Sequence, residues 1–328
     1  MLERSRLPVT RAVERVAGLQ AQDPQAPYFG LWTRLERFEP ADLTRAVKRR
    51  RVVKATLMRG TLHLVSVRDY ERFAPALLPM VQQLWRSYLR GRAPVEDVEA
   101  LARRARAFAD RPRSSAELRE FLGGEDAWWR VRRHVHFVHA PTGGTWAFGR
   151  RPSFVAAEHW LAEPHRPDQE GTVHLLRRYL AAFGPATLHD AAAWSGLTVA
   201  ALRPAADTLA PRLRRFRDER GRALLDVRGG ALPHAGTPAP ARLLPPFDNA
   251  ILSHADRTRI VNDEHRRTVI RGGLVAPVFL VDGFVAGRWQ LACGRVELEP
   301  FVRLKRRVER DLRREGERLA GFALSADR

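Results

Sequence analysis

An α+β fold, built of tandem winged-helix modules followed by a small C-terminal antiparallel β-barrel, is predicted by three features of the sequence. A pattern of helices followed by paired short strands recurs along the first two thirds of the chain. Residues 187–209 carry two helical segments separated by a tight turn, which is helix-turn-helix spacing. Beyond a proline-rich stretch at 233–240, β-prone segments succeed one another around an Asp282-Gly283 turn.

The first module is expected over 1–110. Residues 10–19 place Val13, Val16, Ala17 and Leu19 at helical spacing, and Pro24 and Pro27 break the run. Residues 40–51 predict a helix with Leu43 and Val47 inward and Arg45, Lys48, Arg49 and Arg50 outward. Two strands at 52–57 and 61–65 flank Met58-Arg59-Gly60, a hairpin with a basic tip. Such a tip is either an ordinary turn or a device that enters a DNA groove, with Met58 wedging beside a base step. Ser66-x-x-Asp69 opens a helix whose Tyr70, Phe73, Leu77, Val81 and Leu84 form a core stripe to Gly91, and Pro94 opens a charged helix to Asp110.

The second module is expected over 111–171. Ser114-x-x-Glu117 is a capping box, Gly123-Gly124 ends that helix, 127–139 predicts another, and 143–148 a wing strand. The third, 172–232, holds a helix to Phe183, a Thr187-x-x-Asp190 box, the two helices of the helix-turn-helix, and strands at 212–217 and 223–227. The β-barrel-like region is expected over 241–328, with strands at 274–281, 284–289 and 293–298 and a strand leading into a basic helix over 300–314.

The chain has 328 residues, enough for several packed modules, with 57 Lys and Arg against 37 Asp and Glu, a formal charge of +20. The excess is mostly arginine, which suits bidentate phosphate contacts, although GC-rich coding also enriches arginine. The expected partner is nucleic acid. A single cysteine, Cys293, excludes an intramolecular disulfide framework or a cysteine-rich zinc site and is expected to be buried near a strand. No apolar run reaches transmembrane length and no secretory signal is present, so an intracellular, cytoplasmic protein is expected, with no membrane partner. His134, His136 and His139 lack the three- or four-residue spacing and the carboxylate that a helical metal site needs, so no metal and no other cofactor is expected.

The stretch with the least ordinary polarity is Gly18-Leu19-Gln20-Ala21-Gln22, in which two glutamines sit inside an apolar, aromatic run. In extended backbone, residues two apart point the same way, so the two carboxamides either converge on one point or cap the preceding helix. Gln20-Ala21-Gln22 resembles the Gln-apolar-Gln catalytic motif of the AlkZ/YcaQ-type DNA glycosylases. The resemblance continues, in the family's order, through Arg59-Gly60-Thr61-Leu62-His63-Leu64-Val65, Gly184-Pro185-Ala186-Thr187-Leu188-His189-Asp190, Leu244-Pro245-Pro246-Phe247-Asp248-Asn249 and the segment from Val281 to Trp289. One departure is that the chain begins almost at its first helix, where relatives carry a longer leading segment, so a misassigned start or a truncation is expected.

The resemblance implies a bacterial, monofunctional DNA glycosylase. It would excise N7-alkylated purines from double-stranded DNA, unhooking bulky or interstrand-crosslinked lesions of the azinomycin type among them. Gln20 and Gln22 would be catalytic, and Arg59, Thr61 and His63 would approach DNA. Alkylation at N7 makes the base a ready leaving group, so the enzyme needs oriented carboxamides rather than a strong general acid. Arg130, Arg133, Arg257 and Arg288 are further expected DNA contacts, with Asp248, which is equally suited to anchor a loop through an arginine. The protein is expected to act as a monomer with no obligate protein partner. The competing reading is a non-catalytic winged-helix regulator with structural glutamines, although regulators ordinarily carry one reading head and dimerise on paired half-sites. A basic protein that binds RNA or another protein is a third.

Overall fold

The computed structural model describes residues 3–88, 97–143, 146–149, 151–161 and 169–326. Helix α1 (Val9–Arg15) is followed by the short strand β1 (Leu19–Gln20), then α2 (Ala26–Trp32), α3 (Pro40–Lys48), β2 (Val52–Thr56), β3 (Leu62–Ser66) and α4 (Val67–Tyr88). Helix α1 stops short of the expected residue 19 because Ala17 and Gly18 adopt left-handed backbone, with φ of 52° and 94°. The Gly18 N–H closes back on the Val13 carbonyl. A Cβ at Gly18 would meet Val65 Cγ1 at 2.8 Å, so a side chain there would block the approach of β3.

Next come α5 (Val98–Phe108), β4 (Arg113–Ser114), α6 (Ser115–Leu122), α7 (Glu125–Val131), β5 (Phe137–Ala140), β6 (Ser153–Ala156) and α8 (Ala157–Trp160). The Ser114–Glu117 capping box forms as expected. The helix expected over 127–139 ends at Val131, because Phe137–Ala140 is drawn into strand pairing with β2 and β6. Of the wing strand expected over 143–148, Gly144 and Thr145 lie outside the described residues and 146–148 form a turn; β5 and β6 pair with each other on either side of it.

One six-stranded sheet, in the order β1-β3-β2-β5-β6-β4, joins the first two units, so pairing runs continuously across residue 110. The cross-unit pairs are Lys54 with His139 and Ala55 with Val138. Along one face, Ala55, Val138 and Val155 meet the core containing Tyr179 and Trp194; Leu19 and Leu64, on the other face, meet Tyr28, Phe29 and Trp289.

The third unit contains α9 (Gln169–Phe183), α10 (Leu188–Ser195), α11 (Val199–Leu209) and the hairpin β7 (Leu213–Arg217) and β8 (Ala223–Val227). Thr187 caps α10 reciprocally with Asp190, and Gly196, at φ 86°, ends it. Asp69 of α4 binds His174 and Arg178 of α9 at 2.8 Å each, and Arg178 reaches Glu14 of α1 at 3.3 Å, which fastens three helices together.

The C-terminal region comprises β9 (Arg242–Leu244), α12 (Asn249–Leu252), α13 (Asp263–Val269), the hairpin β10 (Ile270–Arg271) and β11 (Leu274–Val275), β12 (Val278–Val281), β13 (Phe284–Ala292), β14 (Arg295–Pro300) and α14 (Arg306–Ala326). The expected closed barrel is not found among the described residues. Four strands form an open sheet, β14-β13-β12-β9, and the β10–β11 hairpin stands apart. Closure is unnecessary because helices cover the apolar face: Leu312, Leu319 and Phe322 of α14 and Phe29 of α2 share a core with Phe279 and Trp289. Leu84 and Cys293 are exposed, contrary to expectation, and Cys293 sits in a turn at φ 47°. Among the described residues no helix is long and apolar enough to cross a membrane, and no group of three or more acidic, histidine or cysteine side chains could hold a metal.

Candidate active site

Strand β1 is the edge of the six-stranded sheet, and its antiparallel register sets Leu19 opposite Leu64 and Gln20 opposite His63. The chain stays extended for one further bond, Ala21 N–H to Leu62 O at 2.8 Å. Alternation along this strand buries Leu19 and Ala21 on one face and puts Gln20 on the other, and Gln22 lies in the bend just beyond. Gln20 thus belongs to the strand edge and Gln22 to the bend that follows it, and neither caps a helix.

Each carboxamide is held by its oxygen. Gln20 Oε1 accepts from Arg59 Nη2 at 3.0 Å, and Gln22 Oε1 accepts from the Leu62 N–H at 3.1 Å. Guanidinium and backbone N–H groups only donate, so both amide orientations follow from chemistry. Each oxygen retains a second lone pair, and each NH2 faces away from its anchor. Gln20 is almost entirely buried and Gln22 is exposed, so the pair spans the edge of the fold.

The hairpin tip does not project into solvent. Met58 is fully buried in the core, which rules out the expected wedge. Arg59, at φ 55°, gives its other Nη to the Trp194 carbonyl at the end of α10. Burial, reinforced by the field of Arg257, pushes the Arg59 pKa down to about 10. Thr61 closes the turn by donating its hydroxyl to Met58 O at 3.1 Å. His63 is fully buried, so it lies beneath the site and not on a DNA-facing surface. Its Nδ1–H donates to Thr61 O at 3.0 Å, which leaves Nε2 as a bare acceptor without a partner. Burial and the Arg59 charge push its pKa down to about 3, so the ring is neutral.

Asp248 is buried rather than presented to a ligand. It accepts both Nη groups of Arg34, at 2.8 and 2.7 Å, and caps α12 through the Ala250 N–H. The neighbouring Asn249, which the sequence reading passed over, donates Nδ2 to Gly18 O at 2.7 Å and thereby braces the turn that launches β1. The polar Pro246-Phe247-Asp248-Asn249 block marks the position, but no local pattern encodes a bond across 231 positions.

Arg257 is half-buried, and its side chain has no hydrogen bond or ion pair among the described residues; its Nε is buried without a partner. Burial and Arg266 of α13 push its pKa down, and its charge acts in turn on Arg59, the cation that bonds Gln20. The other expected contacts lie elsewhere. Arg130 and Arg133 belong to the second unit, and Arg133 is buried, bonded to Trp129 O. Arg288 on β13 gives one Nη to both oxygens of Glu299, at 2.8 and 2.6 Å.

A folded chain of helix–hairpin units with a net charge of +20, carrying anchored carboxamides at and just beyond an edge strand, one of them bonded to an arginine, has the attributes of an enzyme acting on a polyanion. The profile of the family described as DNA glycosylase AlkZ-like matches residues 13–322, and the chain belongs to that family. It is therefore a DNA glycosylase, a hydrolase of the N-glycosidic bond. It is similar to an interstrand DNA cross-link repair glycosylase of Streptomyces sahachiroi, 26% identical over 324 residues covering 88% of this chain and 84% of the relative. Its fold is that of the solved Streptomyces sahachiroi DNA glycosylase AlkZ, with a TM-score of 0.83 at 21% identity, covering 99% of this chain and 93% of the other.

Proposed function

We propose that the enzyme releases N7-alkylated purines from double-stranded DNA, bulky and interstrand-crosslinked lesions among them, with Gln20 and Gln22 as its catalytic residues. The observation that carries this reading is the pair of carboxamides two residues apart, at the edge strand β1 and the bend just after it, each fixed through its oxygen by a partner that can only donate. The cross-link repair activity named for the Streptomyces relative supports the substrate class.

An N7-alkylated purine carries positive charge. When its bond to C1′ breaks, the electron pair neutralises the base and the sugar becomes oxocarbenium-like. Water then adds its oxygen to C1′ and releases a proton to solvent. Two carboxamides suit this sequence because each has a spare lone pair for a water proton and an NH2 for a water oxygen. The spare lone pairs on the two oxygens, rather than the outward NH2 groups, favour the positive sugar without any protonation step. The Arg257 guanidinium, without a hydrogen-bond or ion-pair partner among the described residues, is suited to a neighbouring phosphate, and arginines elsewhere to sequence-independent binding. The β10–β11 hairpin offers an exposed Leu274 beside Arg271. A monomer supplies all of these groups.

The test is release of N7-methylguanine from duplex DNA, scored as alkali-labile abasic sites, by wild type and the Gln20→Ala/Gln22→Ala variant. Release by the wild type and its loss in a folded variant are expected. Release that persists in the variant would remove the glutamines from the mechanism.

A further inference from the structure

We propose that Arg59 is a positioning residue for Gln20, not a phosphate contact, and that through it the turn of the helix-turn-helix sets the orientation of the catalytic carboxamide. This inference rests on the role of Gln20 given above.

Arg59 lies at a left-handed hairpin tip, yet the tip is docked onto the end of α10. A Cβ at Gly196 would stand 3.1 Å from both the N and the Cα of Arg59, so the approach depends on that position being glycine. The guanidinium divides its two Nη groups: one donates to Trp194 O and the other to Gln20 Oε1, at 3.0 Å. A residue 39 positions after Gln20 and 135 before Trp194 thus joins the edge strand to the first helix of the helix-turn-helix. Both partners are neutral oxygens, so the cation keeps its charge beside the carboxamide. It fixes the Gln20 oxygen on its own side, leaves the NH2 on the far side and makes that NH2 a better donor. Beneath it, neutral His63 adds no second charge that would compete for Gln20.

A phosphate contact would use the same side chain differently. It would have to surrender one or both of these bonds, and its loss would weaken DNA binding rather than the bond-breaking step. The two roles separate in single-turnover base release at saturating enzyme, measured beside the Kd for undamaged duplex.

Expected for Arg59→Met is a fall in the single-turnover rate constant of about ten- to a hundredfold, with the duplex Kd changed by less than about threefold. In a Gln20→Ala background the same substitution should cost nothing further, since a residue that acts through Gln20 has nothing left to position. Arg59→Lys, whose single ammonium reaches one oxygen at a time, should retain part of the rate. Gly196→Ala, which removes no polar group, should lower the rate constant in the same non-additive manner. Thermal melting identifies any variant that fails to fold, and Arg59→Lys and Gly196→Ala then carry the test. Losses that multiply in the double variant, or a weakened Kd with an unchanged saturated rate, would overturn the inference. A Gln20→Ala enzyme as fast as wild type would instead dismiss Gln20 itself, and this inference with it.

Discussion

Arg34 and Asp248, 214 positions apart, face each other fork to fork, Nη1 to Oδ2 at 2.8 Å and Nη2 to Oδ1 at 2.7 Å, in an almost fully buried pair. It locks the end of α2 to the loop that carries Asn249, and so supports the turn before Gln20. Breaking a buried pair strands a charge, at a cost of about 3–5 kcal/mol. Asp248→Ala should therefore lower the melting temperature markedly. Duplex affinity of the folded fraction should be unchanged; an Asp248→Ala protein that melts like wild type but binds DNA poorly would return Asp248 to the interface.

His63 links stability to pH. Its pKa is about 3 in the folded protein against 6.5 as the ordinary value, so below 6.5 the unfolded chain binds the proton and the folded one does not. Stability is fully present above pH 6.5 and is lost as pH falls toward 3, at a limiting slope of about 1.4 kcal/mol per pH unit for this group. His136 and His254, each pushed down to about 4 by burial, add in the same direction. Urea midpoints should fall between pH 7 and 5. His63→Asn, which can still donate to Thr61 O, should reduce that fall; equal slopes for variant and wild type would show that His63 does not contribute.

Lys54 makes the opposite kind of link. It is buried on β2 with its ammonium over the Phe148 ring at 5.0 Å, and burial pushes its pKa down to about 8 from 10.5. Charging it in place is costly, so stability should rise as pH climbs from 8 to 10.5, where the unfolded chain alone stays protonated. Lys54→Met should be more stable than wild type at pH 7, by up to about 3 kcal/mol. Denaturant midpoints at pH 7 and pH 9.5 check both the sign and the window, and a destabilised Lys54→Met would show the amine to be well solvated.

Two arginines should differ in their salt signatures. Arg257 has no hydrogen-bond or ion-pair partner among the described residues, whereas Arg288 already gives one Nη to both oxygens of Glu299. Arg257→Gln should reduce the slope of log K against log salt for duplex binding by about 0.9, the contribution of one neutralised phosphate. Arg288→Gln should change it by less than half of that. Equal effects would place Arg288 on the DNA path as well.

Local chemistry was legible in the chain itself. The capping boxes at Ser114 and Thr187, the strands flanking Met58-Arg59-Gly60 and the helix-turn-helix ending at Leu209 all depend on neighbours within a few residues, and all form. The Gln-apolar-Gln triplet was conspicuous for the same reason: two amides two residues apart need only extended backbone to face one way. Tertiary structure decided what those pieces do. Residues 137–140 have enough apolar character to continue a helix, and pairing with a strand 83 to 85 positions away made them β. The open C-terminal sheet, the buried Met58 tip and the Asp248 anchor depend on which distant surfaces cover them, and no short-range pattern encodes that. The sequence by itself determined the glutamine pair and the elements beside it. Only the fold decided that Arg59 and Leu62 hold those glutamines, because hydrogen bonds across 39 and 40 positions exist only once the strands have met.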